Sequence, residues 1–280
     1  MSNTDQQEFW SDRAGPSWIA RQGQLDALFQ PVLDLVLDSA DLTAGMRVLD
    51  VGCGTGTSVA QAADRVEASG HVTGIDIAQT MLGHAERTFS NRTNVSFANN
   101  DAQTYLFDLE QFDALISRFG VMFFSDTTAA FANMTRGLGK GARMTMAAWG
   151  PAPKNPFFMT PAAAAKTMLG PMPRVNRTLP GPFAFEDADR ILPMLCDAGL
   201  TDVAVQSVDL ALTPAGDAAT LARLCCDIGP AQSALQHHDA TAQDRANLEA
   251  AIAAQFAAND TAQGLRIPAC INLYSARKPA

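Results

Sequence analysis

Lysine is scarce in this 280-residue chain: only four of its 20 basic residues are lysines (Lys140, Lys154, Lys166, Lys278), against 29 acidic residues and a net charge of −9. A surface of that balance repels phosphate backbones and anionic lipid, so nucleic acid and membranes are not expected partners and small molecules are. No apolar run approaches the ~18 residues that a bilayer-spanning helix needs. The five cysteines (Cys53, Cys196, Cys225, Cys226, Cys270) are odd in number and lack the paired spacing of a zinc or redox motif, which reads as reduced, mostly buried thiols. The four histidines (His71, His84, His237, His238) show no metal-ligand spacing, so no metal is expected. The stretch from Met1 to Glu8 has neither the basic start nor the apolar run of a secretion signal, which makes the cytoplasm the expected location.

What is present is core material: 47% of residues are hydrophobic, among them 15 Phe and 11 Met, and the length suits one large domain with insertions. From Met46 onward, short apolar runs alternate with helical patterns, the mark of a parallel sheet wrapped by helices. Strands are expected at 47–51, 71–76, 95–98, 112–117 and 142–148, with helices at 57–68, 78–89 and 126–136, the last capped by Asp126. Residues 150–182 hold eight prolines together with Phe157, Phe158, Met159, Met168 and Met172, a composition that suits an ordered cap. A helix over 186–198 closed by Gly199, a strand over 203–208, a helical block over 217–256 and a last strand over 271–276 complete the pattern.

The most informative stretch is Val48-Leu49-Asp50-Val51-Gly52-Cys53-Gly54-Thr55-Gly56-Thr57. Glycines directly after a buried strand let the backbone turn tightly and bring a ligand to the N-terminus of the next helix. The spacing is G-x-G-x-G, which departs from the nicotinamide-type fingerprint because Thr57 stands where that pattern needs its third glycine. Asp76 closes the second strand, where a carboxylate accepts from two ribose hydroxyls, and Asp101 follows the third, within reach of an adenine amine. Together they describe an adenosine. Singly, Asp76 also reads as a helix cap and Asp101 as a turn residue.

The runs VLDVGCGTG (Val48 to Gly56), GIDI (Gly74 to Ile77), NNDAQ (Asn99 to Gln103) and FDALISRFGVMFF (Phe112 to Phe124) resemble the class I S-adenosylmethionine-dependent methyltransferases. Within them the chain is most similar to the ubiquinone/menaquinone C-methyltransferase-like small-molecule group. The resemblance implies an α/β, Rossmann-like, doubly wound seven-stranded sheet, mostly parallel with the last strand antiparallel, carrying helical cap insertions. It also implies the layout 1–40 N-terminal helical cover, 41–149 cofactor-binding core, 150–184 cap insertion, 185–211 core continued, 212–262 helical cap and 263–280 last core strand. The expected cofactor is S-adenosyl-L-methionine, with backbone contacts from Gly52, Cys53 and Gly54 to its methionine part and Asp50 facing its ammonium. Asp76 would hold the ribose, Ile77 and Met81 would flank the adenine, Asp101 with the backbone of Ala102 would read its amine, and Ser117 would touch the methionine part. Met81 at helical spacing also reads as plain core.

For the acceptor the expected residues are Trp18, Gln22, Arg118, Phe119 and Phe157, with core packing the alternative for Trp18. Arg118 reads as a partner for an acidic substrate group, for the cofactor carboxylate, or for a neighbouring aspartate. No proton-transfer residue is assigned; His237 and His238 are the candidates for a general base. The expected function is methylation of a small, mainly apolar or aromatic metabolite at an O, N, S or C atom, and a homodimer is compatible with it. A macromolecular methyltransferase is disfavoured by the charge and by Ser117-Arg118-Phe119-Gly120 where an N/D-P-P-Y/F motif would stand. A catalytically silent S-adenosylmethionine-binding subunit is the third alternative.

Overall fold

The computed structural model describes residues 3–280; residues 1 and 2 of the expected cover lie outside the described residues. A seven-stranded sheet runs in the order β3-β2-β1-β4-β5-β7-β6. Its strands are β1 Arg47–Val51, β2 His71–Asp76, β3 Val95–Asn99, β4 Phe112–Arg118, β5 Leu138–Trp149, β6 Thr201–Leu212 and β7 Ile267–Arg277. β1 through β5 pair in parallel, and β7 lies antiparallel between β5 and β6. The central strands are apolar on both faces, as helix-covered parallel strands must be: Val48, Leu49, Leu115, Ile116, Met144 and Met146 are all buried. Chain order reverses between β1 and β4, and the crevice beyond their C-terminal ends is where such sheets bind ligands.

Around the sheet lie α1 Asn3–Glu8, a π-helical turn Phe9–Ala14, α2 Gly15–Ala20, α3 Gln22–Ser39, α4 Thr57–Val66, α5 Gln79–Thr88, α6 Thr127–Gly137, α7 Pro156–Met168, α8 Ala188–Asp197, α9 Ala218–Asp227, α10 Gly229–His237 and α11 Ala242–Phe256. α3 buries Leu25, Leu28, Phe29, Val32, Leu33 and Val36 against β4, β5 and β6. Asp126 caps α6, its side chain accepting from the Ala129 N–H, and Gly199 ends the α8 turn at φ +86°.

Three strands are longer than the hydrophobic pattern predicts. β5 starts at Leu138, passing through Gly139-Lys140-Gly141 across a register shift opposite Phe112 and Ala114. β6 and β7 pair continuously from Leu212 and Ile267 to Ala204 and Ser275, with Thr201 opposite Arg277 beyond a shift. β6 is an edge strand with many exposed residues, so its alternation is blurred and its ends are set by the partner strand.

The cap regions pack on one another, α10 on α7 and α9, and α11 on α9 and α7. Both ends of the 150–184 insertion are tied to β7. Buried Asn155 donates to the Gly150 and Pro151 carbonyls and accepts from the Cys270 N–H at 3.0 Å. Asn272 donates to the Phe185 and Glu186 carbonyls, and the Tyr274 hydroxyl donates to the Phe185 carbonyl at 2.7 Å. Among the described residues, no helix is long and apolar enough to cross a membrane.

Candidate cofactor-binding site

The crevice is lined by three strand ends held by backbone proximity. Gly52 (φ +71°) and Gly120 meet main chain to main chain: a Cβ on Gly52 would stand 2.4 Å from Gly120 Cα, and one on Gly120 would stand 2.2 Å from the Val51 carbonyl oxygen. Ser117, fully buried, donates to that same Val51 carbonyl at 2.7 Å and accepts from the Gly120 N–H. The chain reaches Gly120 by placing Phe119 at φ +66°, a left-handed conformation that costs a bulky residue about 1–3 kcal/mol. Its N–H is held by the Ala147 carbonyl at 2.9 Å, and its ring lies parallel on Trp149 with centroids 4.4 Å apart.

Asp76 is oriented by two main-chain donors, Gly54 N–H at 2.7 Å and Ala78 N–H at 2.8 Å. Burial pushes its carboxyl up while these bonds oppose the shift. Each carboxylate oxygen keeps a second lone pair, so a pair of hydroxyls has acceptors here. The Ala78 bond shows Asp76 also holding the start of α5. Gly54 has open space but for the Met81 methyl, 3.9 Å from where a Cβ would be, and Met81 also reaches toward Gly15 of α2. Met81 therefore stands between the glycine turn and the N-terminal segment. Ile77 is half-buried beside Asp76, and the Cys53 thiol packs against Gly74, kept protonated by burial.

Asp50 is buried, accepts from Ser58 Oγ at 2.5 Å through one oxygen and leaves the other without a partner. Burial pushes its carboxyl up to about 6, against the pull of Ser58 and Arg118. Arg118, with a side chain 14% exposed, sits 3.8 Å from Asp26 of α3, and its Nη1 is likewise buried without a partner. A buried acceptor on Asp50 and a buried donor on Arg118, close enough to interact electrostatically, are thus left without hydrogen-bond partners, an expensive arrangement. The cradle fits the ammonium and carboxylate of an amino-acid tail.

At the far end, Asp101 closes its turn by accepting from Gln103 N–H and holds the Asn3 side-chain amide at 2.6 Å; Asn3 in turn accepts from Ser125 N–H. Ala102 is buried, its carbonyl bound by Asn133. Gln22 lies 3.2 Å from Thr57 Oγ1 and 2.7 Å from His84 Nε2, so it bridges α3, α4 and α5. Trp18 packs edge-on with Trp10 and stacks toward Phe29, and Phe157 is buried against Phe29 and Trp149. His237 and His238 end α10, edge to face with each other, and His238 lies beside Gly170 in the loop after α7.

A family model described as a methyltransferase domain matches residues 48–141, the stretch that contains this cradle. Over that third of its length the chain is similar to methyltransferase domains. Aklanonic acid methyltransferase DauC of Streptomyces sp. (strain C5) is 35% identical over 41% of this chain and 54% of its own length. A demethylmenaquinone methyltransferase of Renibacterium salmoninarum is 27% identical over 62% of this chain and 75% of its own. In structure, the chain resembles a Haemonchus contortus phosphoethanolamine N-methyltransferase 2 (TM-score 0.58, 16% identity, 98% of this chain and 60% of that one), a likeness of fold alone. The alignment with the first of these curated relatives spans about half of that protein's length.

Several residues at the cradle carry no sequence signal of their own. Ser58 is an ordinary second residue of a helix, Asp26 is one of several acids on α3, and His84 reads as solvated until its contact with Gln22 is seen. Gly120 was legible only as part of the Ser117-Arg118-Phe119-Gly120 run, and Trp149 as the end of a strand.

Proposed function

We propose that this chain binds S-adenosyl-L-methionine in the cradle and transfers its methyl group to a small, mainly apolar or aromatic metabolite. The observation that carries the reading is the unpaired, buried Asp50 oxygen beside a glycine turn whose next strand ends on Asp76. When bound, the cofactor supplies an electrophilic methyl on a positive sulfur. Asp50 would meet the ammonium, Gly52, Cys53 and Gly54 the rest of the methionine part, and Asp76 the ribose. Ile77 and Met81 would flank the adenine, with Asp101 and the Ala102 backbone at its amine. The protein's part in an in-line transfer is then to align the acceptor and exclude water.

Residues 1–40, 150–184 and 212–262 would form the cover and caps that do so. Supporting an apolar acceptor is a band of rings at the ends of β4 and β5: Phe119 on Trp149, Phe29 edge-on to both, and Phe157 and Phe158 against Trp149. The relatives named for aklanonic acid and demethylmenaquinone point the same way.

Calorimetry with the cofactor tests the reading. Asp76→Ala should weaken binding by about 1.5–3 kcal/mol, roughly 10- to 150-fold, through loss of a charged acceptor for two hydroxyls. A wild-type chain that binds no cofactor overturns the function; unchanged affinity in folded Asp76→Ala overturns the ribose role.

A further inference from the structure

α3 lies outside the matched domain, yet it sends a carboxylate into the cradle. Asp26 Oδ2 accepts from Thr57 Oγ1 at 2.7 Å, and its Oδ1 stands 3.8 Å from Arg118 Nη2. One turn earlier Gln22 reaches the same Thr57 hydroxyl. Thr57 opens α4, the helix that follows the glycine turn, so Asp26 and Gln22 fasten α3 to the start of that helix. Arg118 is thereby flanked by two acids of different standing. Asp26, 22% exposed in its side chain, is engaged with Thr57, whereas Asp50 is buried with one oxygen free.

At 3.8 Å the Asp26 contact compensates charge without the geometry of a tight bidentate pair. It engages one amino group of the guanidinium and leaves the other, Nη1, buried and unpaired. A planar guanidinium held along one edge presents its other donors in a fixed direction.

We propose that Asp26 is a positioning residue that steers Arg118 so that Nη1 receives the carboxylate of the cofactor's amino-acid tail, while Asp50 takes the ammonium. This rests on the reading that the cradle binds S-adenosyl-L-methionine. It turns Arg118 from an acceptor-site residue into a reader of the cofactor tail, and it makes that reading depend on a helix of the cover. A ligand with both tail charges is favoured over one that shares the nucleoside and sulfur but lacks the tail.

Two probes separate the possibilities by calorimetry: S-adenosylhomocysteine, which has the tail, and 5′-methylthioadenosine, which does not. In Asp26→Asn the affinity for S-adenosylhomocysteine should fall about tenfold or more, with 5′-methylthioadenosine changed by less than about twofold. Arg118→Gln should show the same selective loss, and the double variant no more than Arg118→Gln alone. Asp26→Glu, which keeps the charge, should recover part of the loss. Should Asp26→Asn not fold, Arg118→Gln and Asp26→Glu carry the same comparison. Equal loss for both probes, or no loss for either, overturns the proposal while leaving the cofactor reading intact. A wild-type chain that binds neither probe overturns both.

Discussion

The cradle and the cover of this protein are held together in opposite ways. The cradle comes from 74 or so consecutive residues, Arg47 to Gly120, and its geometry is set by main chain: Gly52 against Gly120, and Asp76 fixed by the N–H groups of Gly54 and Ala78. The cover is assembled from segments far apart in sequence and held by side chains. Arg21 of the N-terminal segment grips Asp227 at the end of α9, which Arg245 of α11 also holds, and Trp10 packs edge-on with Phe123. Where Gly52 and Gly120 meet there is no room for an added atom, whereas a cover defined by many side chains can lose one contact and keep its form. The contrast predicts that the N-terminal segment opens more readily than the sheet beneath it.

The largest expected effect tests the rigid half. Gly120 has an ordinary φ of −81°, so Gly120→Ala adds no backbone strain and its cost is purely the collision of Cβ with the Val51 carbonyl and Gly52. That clash should cost about 3 kcal/mol or more and lower the melting temperature by roughly 6–12 °C, with cofactor binding lost alongside. The matching change in the cover is Gly23→Ala on α3, where nothing lies within 4 Å of the new Cβ. Helix propensity predicts a gain of about 0.5–1 kcal/mol there. Thermal melts of the two variants moving in the same direction would break the contrast.

The same contrast explains what could be read from the sequence. The strands, the glycine turn and the acids after β2 and β3 are local patterns, and every strand from β1 to β4 lies within a residue or so of its expected span. Gly52–Gly120 is a contact across 68 residues that no periodicity records, and it is what drives Phe119 into a left-handed conformation few would assign to a phenylalanine. Asp26 and Ser58 have the same problem. Their meaning lies in Arg118 and Asp50, with which they share no spacing rule. The apolar residues of 150–184 led to the expectation of an ordered cap, yet Met159, Met168 and Met172 are exposed while Phe157 is buried; the anchorage of the segment had no local signal, because Asn155 and Asn272 look like surface asparagines until Cys270 and Phe185 are found beside them.

An intermediate effect concerns the charge in the rigid half. Burial holds the Asp50 carboxyl at about 6, so near neutral pH it is ionised and can meet an ammonium, and as pH falls through about 6 it takes up a proton and loses that ability. Cofactor affinity should therefore fall with falling pH, by up to about tenfold per unit below 6. The ligand-free chain responds with the opposite sign. Because the folded value lies above the ordinary carboxylate value near ~4, the stability from this group is full below ~4 and is lost as pH rises through about 6. Asp50→Asn should flatten both profiles, and calorimetry and melting across pH 5 to 8 read them. A wild-type affinity that is flat across that range would remove Asp50 from the ligand.

The smallest expected effect tests whether the cover is separable. Asn3 ties the first turn of α1 to two places at once, donating to Asp101 and accepting from Ser125 N–H, and it does so from a half-buried position on a six-residue helix that has little stability of its own. Asn3→Ala removes one hydrogen bond to a charged group and one to main chain, a local loss of about 1 kcal/mol after water replaces them. Amide exchange in residues 3–20 should then quicken by about fivefold, because those amides open with the segment and not with the sheet. Amides of β1, β2 and β4 should keep their rates, since Asp101 retains its own turn through Gln103 and none of the glycine contacts involves Asn3. Faster exchange in the strands as well would mean that cover and cradle open as one unit, and the division between them would fail at the contact where it is weakest.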